Sequence, residues 1–241
     1  MVDDILSSYA KVRADGLAWI DEQQMIEVDR IMIEDLRIEL LQMMENAGRN
    51  LARLVLDGWS PRRVAVAAGS GGNGGGGMVA ARHLANAGVE VVVTTTREPD
   101  QLRGVPAHQF DILDRMGVRS AGELPASDVV VDAVIGYSLR GSPTGKSAQL
   151  IDQVNVSRVA GAVVVSLDTP SGLDVTTGQN PGSVVVADAT MTLALPKVGM
   201  RTAAQVGALF LADISVPRSV TARFGATPPD FSSGSLLAIE R

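Results

Sequence analysis

The chain has 241 residues, 46% hydrophobic and 20% charged, which is enough apolar material for a sizeable core and too much for a disordered chain. Its 27 acidic and 21 basic residues leave a net charge of −6, and aromatics are only 3%, so neither a basic block nor a stacking platform for nucleic acid is present. Cysteine is absent, which excludes disulfides, thiolate catalysis and cysteine-based zinc sites. The unusual figure is glycine, 25 residues unevenly spread.

The acidic start Met1-Val2-Asp3-Asp4 is unlike a signal peptide, and the longest apolar runs fall far short of the ~20 residues of a membrane helix. A cytoplasmic protein without nucleic-acid or membrane partners is expected. Length suits one α/β domain over residues 1–241, with a helical segment over about 1–60, an α/β core over about 61–215 and a C-terminal tail over about 216–241.

Along the first sixty residues the pattern is helical. From Asp21, apolar residues recur at Met25, Ile26, Ile31, Met32 and Ile33; after Asp35, Leu40, Leu41, Met44, Ala47, Leu51, Leu54 and Val55 follow helical spacing, with Gly58 and Pro61 as stop signals. From Arg63 short β-rich runs alternate with helices. Strands are predicted over 64–68, 89–96, 129–135 and 163–167, with further strand-like runs at 184–186, 190–195 and 208–212. Helices are predicted from Met78 through Leu84, over 107–116 and over 147–156. Such alternation implies a mostly parallel sheet covered on both faces. The Pro/Ser/Gly-rich stretch 226–241 reads as a loose tail.

Ligands of open α/β sheets bind at the carboxyl ends of strands, and three motifs fall there. The first is Gly69-Ser70-Gly71-Gly72-Asn73-Gly74-Gly75-Gly76-Gly77, seven glycines in nine positions between a strand and a helix. Glycine tolerates left-handed backbone and lets amides face a phosphate, and the following helix adds its positive end. The second runs from Asp132 to Gly141. Gly141-Ser142-Pro143-Thr144-Gly145-Lys146-Ser147 after it has three residues where a phosphate-binding P-loop needs four, and Pro143 removes an amide. The third is Asp168-Thr169-Pro170-Ser171-Gly172-Leu173-Asp174, whose first carboxyl suits acid/base work or ribose binding. A hard-cation site of oxygens remains open from Asn73, Asp132 and Ser171.

In this order the motifs resemble the YjeF N-terminal domain family, the NAD(P)H-hydrate epimerases. The glycine loop with Met78-Val79-Ala80-Ala81-Arg82-His83-Leu84 after it, the second and third loops, Leu195-Pro196-Lys197 and the early Met44-Glu45-Asn46-Ala47-Gly48 all carry the likeness, over roughly residues 23–215. Gly72 and Gly76 stand where the family's loop has Asn and Asp. The resemblance implies a three-layer Rossmann-like α/β/α sandwich with a mostly parallel sheet and N-terminal helices. It also implies interconversion of the R and S forms of hydrated NADH and NADPH, as nicotinamide cofactor repair. It places one potassium ion per subunit at Asn73, Asp132 and Ser171. Substrate would be held by Gly72, Asn73, Gly74, Gly75 and Gly76, by Gly136, Tyr137, Ser138, Leu139, Arg140, Gly141 and Ser142, and by Asp168, the expected catalytic acid/base. A separate dehydratase and a homodimer are the partners implied. The same scaffold would also suit a nucleotide-binding or assembly module without turnover.

Overall fold

The computed structural model describes residues 2–225 and 227–241. Helix α1 (Val2–Ser8) and strand β1 (Ala10–Arg13) open the chain, so the first sixty residues are not wholly helical. At four residues β1 is too short to show a period. Helix α2 (Glu22–Arg30) is started by Asp21: its carboxylate accepts from the Gln24 N–H at 2.8 Å, while the Gln24 side chain accepts from the Asp21 N–H at 2.9 Å. A π-helical turn (Ile31–Asp35) follows. Helix α3 (Leu40–Trp59) runs past Gly58 and stops where Ser60 turns left-handed, φ 44°.

The core then alternates: β2 (Arg63–Ala68), α4 (Gly72–Asn86), β3 (Glu90–Thr95), α5 (Gly104–Arg115), β4 (Arg119–Ser120), β5 (Val129–Ala133), α6 (Gly145–Val159), β6 (Val163–Leu167), β7 (Ala189–Leu193) and β8 (Ala208–Ala212). Helix α7 (Arg218–Thr221) and strand β9 (Leu236–Glu240) complete it. Among the described residues the strands form one sheet in the order β1-β9-β8-β7-β6-β5-β2-β3-β4, every neighbouring pair parallel except β8 with β9.

Side chains alternate between the faces of this sheet as the pleat requires. Val64, Val66 and Ala68 pack under α3, α4 and α5 through Leu51, Met78, Leu84 and Leu113. Ala65, Ala67, Val130 and Val164 face Leu150, Ile151 and Val154 of α6. The result is the mostly parallel sheet covered on both faces that the alternation implied, in the three-layer α/β/α sandwich with N-terminal helices that the resemblance implied.

Two expectations are corrected. Residues 184–186 form no strand: Asn155 of α6 satisfies the backbone instead, donating to the Val184 carbonyl at 2.8 Å and accepting from the Val186 N–H at 2.9 Å. The stretch 226–241, read as a loose tail, contains β9, which pairs with both β8 and β1; position 226 itself, like Met1, lies outside the described residues. Leu236, Leu237, Ala238 and Ile239 are buried there, and that four-residue apolar run is masked in the composition by the polar stretch before it.

Candidate active site

The strand order reverses between β2 and β5: the chain steps outward from β2 to β3 and β4, then returns to lay β5, β6, β7 and β8 on the other side. Loops leaving these two strands diverge and open a crevice, the place where sheets of this kind bind ligands. A cavity of about 360 Å³ lies there. Its floor is Leu167, Asp168 and Leu193 at the ends of β6 and β7. Its walls are the start of α4 (Gly71, Gly72, Asn73, Gly76) and the β5 loop (Val134, Ile135, Gly136, Tyr137, Ser138). Met25 and Asp29 from α2 and Met43, Met44 and Ala47 from α3 cover it.

The glycine segment is only half a loop, since α4 begins at Gly72. Its glycines are not there for left-handed backbone, for none of them adopts positive φ. Three of them are there for space. A Cβ on Gly69 would lie 2.0 Å from the Val134 carbonyl oxygen, on Gly74 1.9 Å from the Gly69 carbonyl oxygen, and on Gly77 2.5 Å from the Ala133 Cβ. The first turn of α4 is thereby pressed onto the ends of β2 and β5. The intrahelical ladder starts with the Gly75 N–H to the Gly71 carbonyl at 3.1 Å, so the amides of Gly72, Asn73 and Gly74 precede it. Free amides and the positive helix end suit an anion such as a pyrophosphate.

Asp168 sits on the floor in a left-handed conformation, φ 67°, a strained choice for a residue with a side chain. Its own N–H holds the Met191 carbonyl at 2.7 Å. Its carboxylate is ion-paired with Lys197 and accepts from the Tyr137 N–H at 3.3 Å and the Leu193 N–H at 3.4 Å. Lys197 is fully buried and donates also to the Thr192 hydroxyl at 3.1 Å and the Leu193 carbonyl at 2.9 Å. Sequence reasoning assigned Lys197 no role, although the Leu-Pro-Lys segment was conspicuous. It missed Asp29 as well. Asp29 accepts from the Tyr137 hydroxyl at 2.5 Å, and burial pushes its carboxyl above the ordinary range. Burial likewise pushes the Tyr137 phenol up, with the neighbouring Asp29 charge adding to it.

Asp132 and Ser171 lie beneath the cavity wall. Asp132 is wholly buried and accepts from the Ser171 hydroxyl at 2.5 Å, the Ser166 hydroxyl at 2.7 Å, the Ser171 N–H at 2.9 Å and the Val134 N–H at 3.3 Å. No basic side chain is among its partners in the described residues, and burial drives its carboxyl upward. Ser171 is a poor nucleophile here, because its hydroxyl is committed to Asp132 and receives the Ile135 N–H at 2.8 Å. Asn73 reaches the backbone on either side: a Cβ on Gly136 would lie 3.3 Å from its Oδ1, and its amide donates to the Leu167 carbonyl at 3.2 Å. An uncompensated buried carboxylate among hard oxygens fits a monovalent cation. Groups of three or more His, Cys, Asp or Glu suited to a metal are absent among the described residues.

Of the expected substrate residues, Gly72, Asn73, Gly76, Gly136, Tyr137, Ser138 and Asp168 line the cavity. Gly74 and Gly75 are buried in the helix behind it. Leu139, Arg140, Gly141 and Ser142 lie beyond the wall: Arg140 reaches Glu22 of α2 at 3.3 Å, and Ser142 donates to the Pro181 carbonyl at 2.5 Å. Lys146 donates to the Gly122 carbonyl at 2.8 Å, which leaves no phosphate role for the P-loop-like segment.

Comparison with known proteins bears on the same segments. The model of the family described as "YjeF-related protein N-terminus" matches residues 40–199. The chain belongs to this YjeF-related family. A member from Dehalogenimonas lykanthroporepellens, named NAD(P)H-hydrate epimerase, is 43% identical over 83% of this chain and 83% of its own length. A Rhodopirellula baltica member of the same name is 32% identical over 84% of this chain and 86% of its own. A Thermofilum pendens member, named bifunctional NAD(P)H-hydrate repair enzyme Nnr, is 37% identical, and the chain spans 39% of its length. The crystal structure of yeast ynu0 superposes with a TM-score of 0.82 at 23% identity, covering 92% of this chain and all of the yeast chain, which supports the fold. The YjeF-related match takes in the start of α4, both later loops and Lys197.

Proposed function

We infer that this protein is an NAD(P)H-hydrate epimerase, an isomerase interconverting the R and S forms of hydrated NADH and NADPH. The observation that carries the reading is the Asp168–Lys197 pair on the floor of a cavity whose rim is the open first turn of α4. A dinucleotide hydrate brings a pyrophosphate and an uncharged, hydroxylated nicotinamide ring. The amides of Gly72 and Asn73 at the cavity wall suit the first. The apolar side chains Met25, Met43, Met44 and Leu167 suit the second, and hold the ring over Asp168.

At C6 the hydrate carries a hydroxyl beside the ring nitrogen, so inversion needs a proton moved as the C6–O bond opens and recloses. Asp168 supplies the carboxyl, and Lys197 and the Tyr137 and Leu193 amides fix its direction. One potassium ion would be held by Asn73, Asp132 and Ser171, where it supplies the positive charge that buried Asp132 lacks. Gly136, Tyr137 and Ser138 of the β5 loop would flank the ring. Completion of the repair falls to a dehydratase acting on one isomer.

The deciding experiment mixes R and S hydrates of NADH with a dehydratase that consumes only the S form. With this protein present the whole mixture is expected to clear, and Asp168→Asn is expected to leave the R half behind. Binding of the hydrate without any clearance of the R form would instead favour a nucleotide-binding module on the same fold.

A further inference from the structure

Asp168 is not the only acid in the cavity. Asp29 enters it from α2, whereas Asp168 enters from the end of β6, and Tyr137 joins the two: its hydroxyl donates to Asp29 Oδ2 at 2.5 Å and its N–H to Asp168 Oδ2 at 3.3 Å. The second carboxyl has no structural partner that explains it. It forms no ion pair among the described residues, and its hydrogen bond runs to a residue that itself lines the cavity.

The chemistry of inversion calls for two such groups. Protonation of the C6 hydroxyl lets the C6–O bond break, its electron pair leaving with water while the nitrogen lone pair becomes a C6=N double bond. The resulting iminium ion is planar at C6. Water returning to the vacated face restores the starting isomer. Water adding to the other face gives the opposite isomer, and a base on that face must take its proton as the new C6–O bond forms and the π pair returns to nitrogen. One water leaves, one enters, and one proton passes from one carboxyl to the other before solvent resets them.

We propose that Asp29 is a second catalytic residue, serving the face of the ring opposite Asp168, as acid when Asp168 is base and as base when Asp168 is acid. This rests on the epimerase reading of the same cavity. The groups facing Asp29 are Tyr137, Asp168 and Lys197, with Glu22 acting on the Tyr137 hydroxyl. Burial favours its protonated form and Asp168 adds to that, whereas the Tyr137 hydrogen bond and Lys197 oppose it. A carboxyl held toward its protonated form at Asp29, beside a Lys-paired Asp168, suits the acid and base that one direction needs.

The test follows purified R and S hydrates of NADH in H₂¹⁸O, reading inversion by chromatography and label at C6 by mass spectrometry. Wild-type protein is expected to invert both isomers, with label in the product. Asp29→Asn is expected to lose inversion on the order of 100-fold or more, with hydrate binding and a cooperative melt kept. Label should still enter one isomer with retention, because Asp168 alone can open and reclose its own face. Inversion by Asp29→Asn at the wild-type rate overturns the proposal, and so does equal loss of exchange from both isomers. Should that variant fail to fold, Tyr137→Phe is read instead. Removing a hydrogen bond that lowers the Asp29 pKa is expected to move one limb of the kcat/KM pH profile upward, and an unmoved limb overturns the assignment. A wild-type protein that neither inverts nor exchanges defeats the epimerase reading itself, a result distinct from every Asp29 outcome.

Discussion

Lys197 has no access to water, so its ammonium depends on Asp168, Thr192 and the Leu193 carbonyl for everything hydration would supply. Removing it strands a carboxylate in the interior. Lys197→Met is therefore expected to lower the unfolding free energy by about 3–5 kcal/mol in urea titration. Adding Asp168→Asn should recover part of the loss, whereas additive losses would show that the pair is not coupled. Asp29 is expected to behave in the opposite sense. Burial raises its carboxyl above the ordinary 3.8, so the folded protein holds that proton more tightly than the unfolded chain does. The stability this contributes is complete below the unfolded value and is lost as pH rises through the folded one. Asparagine does not ionise. The melting temperature of Asp29→Asn relative to wild type should accordingly be higher at pH 8 than at pH 4, and an equal difference at both would contradict it. Asp168 was legible because an acidic residue interrupts an apolar strand end. Lys197 and Asp29 were not, because a partner lying 29 or 108 residues away in sequence leaves no local pattern.

At the scale of elements, the glycines of α4 divide into those that are packed and those that are free. Gly77 has the Ala133 Cβ in the way of any side chain, while Gly71 is exposed, has φ −106° and would meet nothing within 4 Å. Gly77→Ala is expected to cost about 1–3 kcal/mol by overpacking, and Gly71→Ala next to nothing, both read by thermal melting. Gly76, which stands where the family's loop has Asp, would place a Cβ 2.9 Å from Leu167 Cδ2, the movable end of a side chain, so that position is restricted less than Gly77. The cation proposed at Asn73, Asp132 and Ser171 would tie α4 to the end of β5 and the loop after β6. At a hundredfold its dissociation constant, potassium would add about 2.7 kcal/mol. A lower melting temperature in choline chloride than in potassium chloride at equal ionic strength is expected, and identical values would remove the ion. The parallel strands of the core were legible because both their faces are buried and their short runs are mostly apolar. The start of α4 was not. Glycine's low helix propensity argues for a loop there, and only packing against Ala133 and Val134 overrides it.

At the scale of the molecule, β9 holds one edge together: it is antiparallel to β8 and parallel to β1, and among the described residues β1 pairs with no other strand. Deleting residues 226–241 is expected to strip β1 from the sheet and bare Phe210 and Leu211 of β8. The signature would be loss of soluble protein and of a cooperative far-UV melt, whereas a truncated chain melting like the full one would mean the edge is dispensable. Neither β1 nor β9 was legible, since they become strands only by finding each other and β8. No helix among the described residues is long and apolar enough to cross a membrane.

The pairing of β1 with β9 also has a cost in time. Ala10 takes Leu237 as its partner, a separation of 227 residues (237 − 10), so during synthesis β1 waits until that much more chain has been made. Throughout that wait β1 is an unpaired edge in a half-finished protein, the kind of segment on which nascent chains stick to one another. Its brevity and its two cationic side chains, Lys11 and Arg13, are what keep such an edge from recruiting the wrong neighbour before the right one arrives.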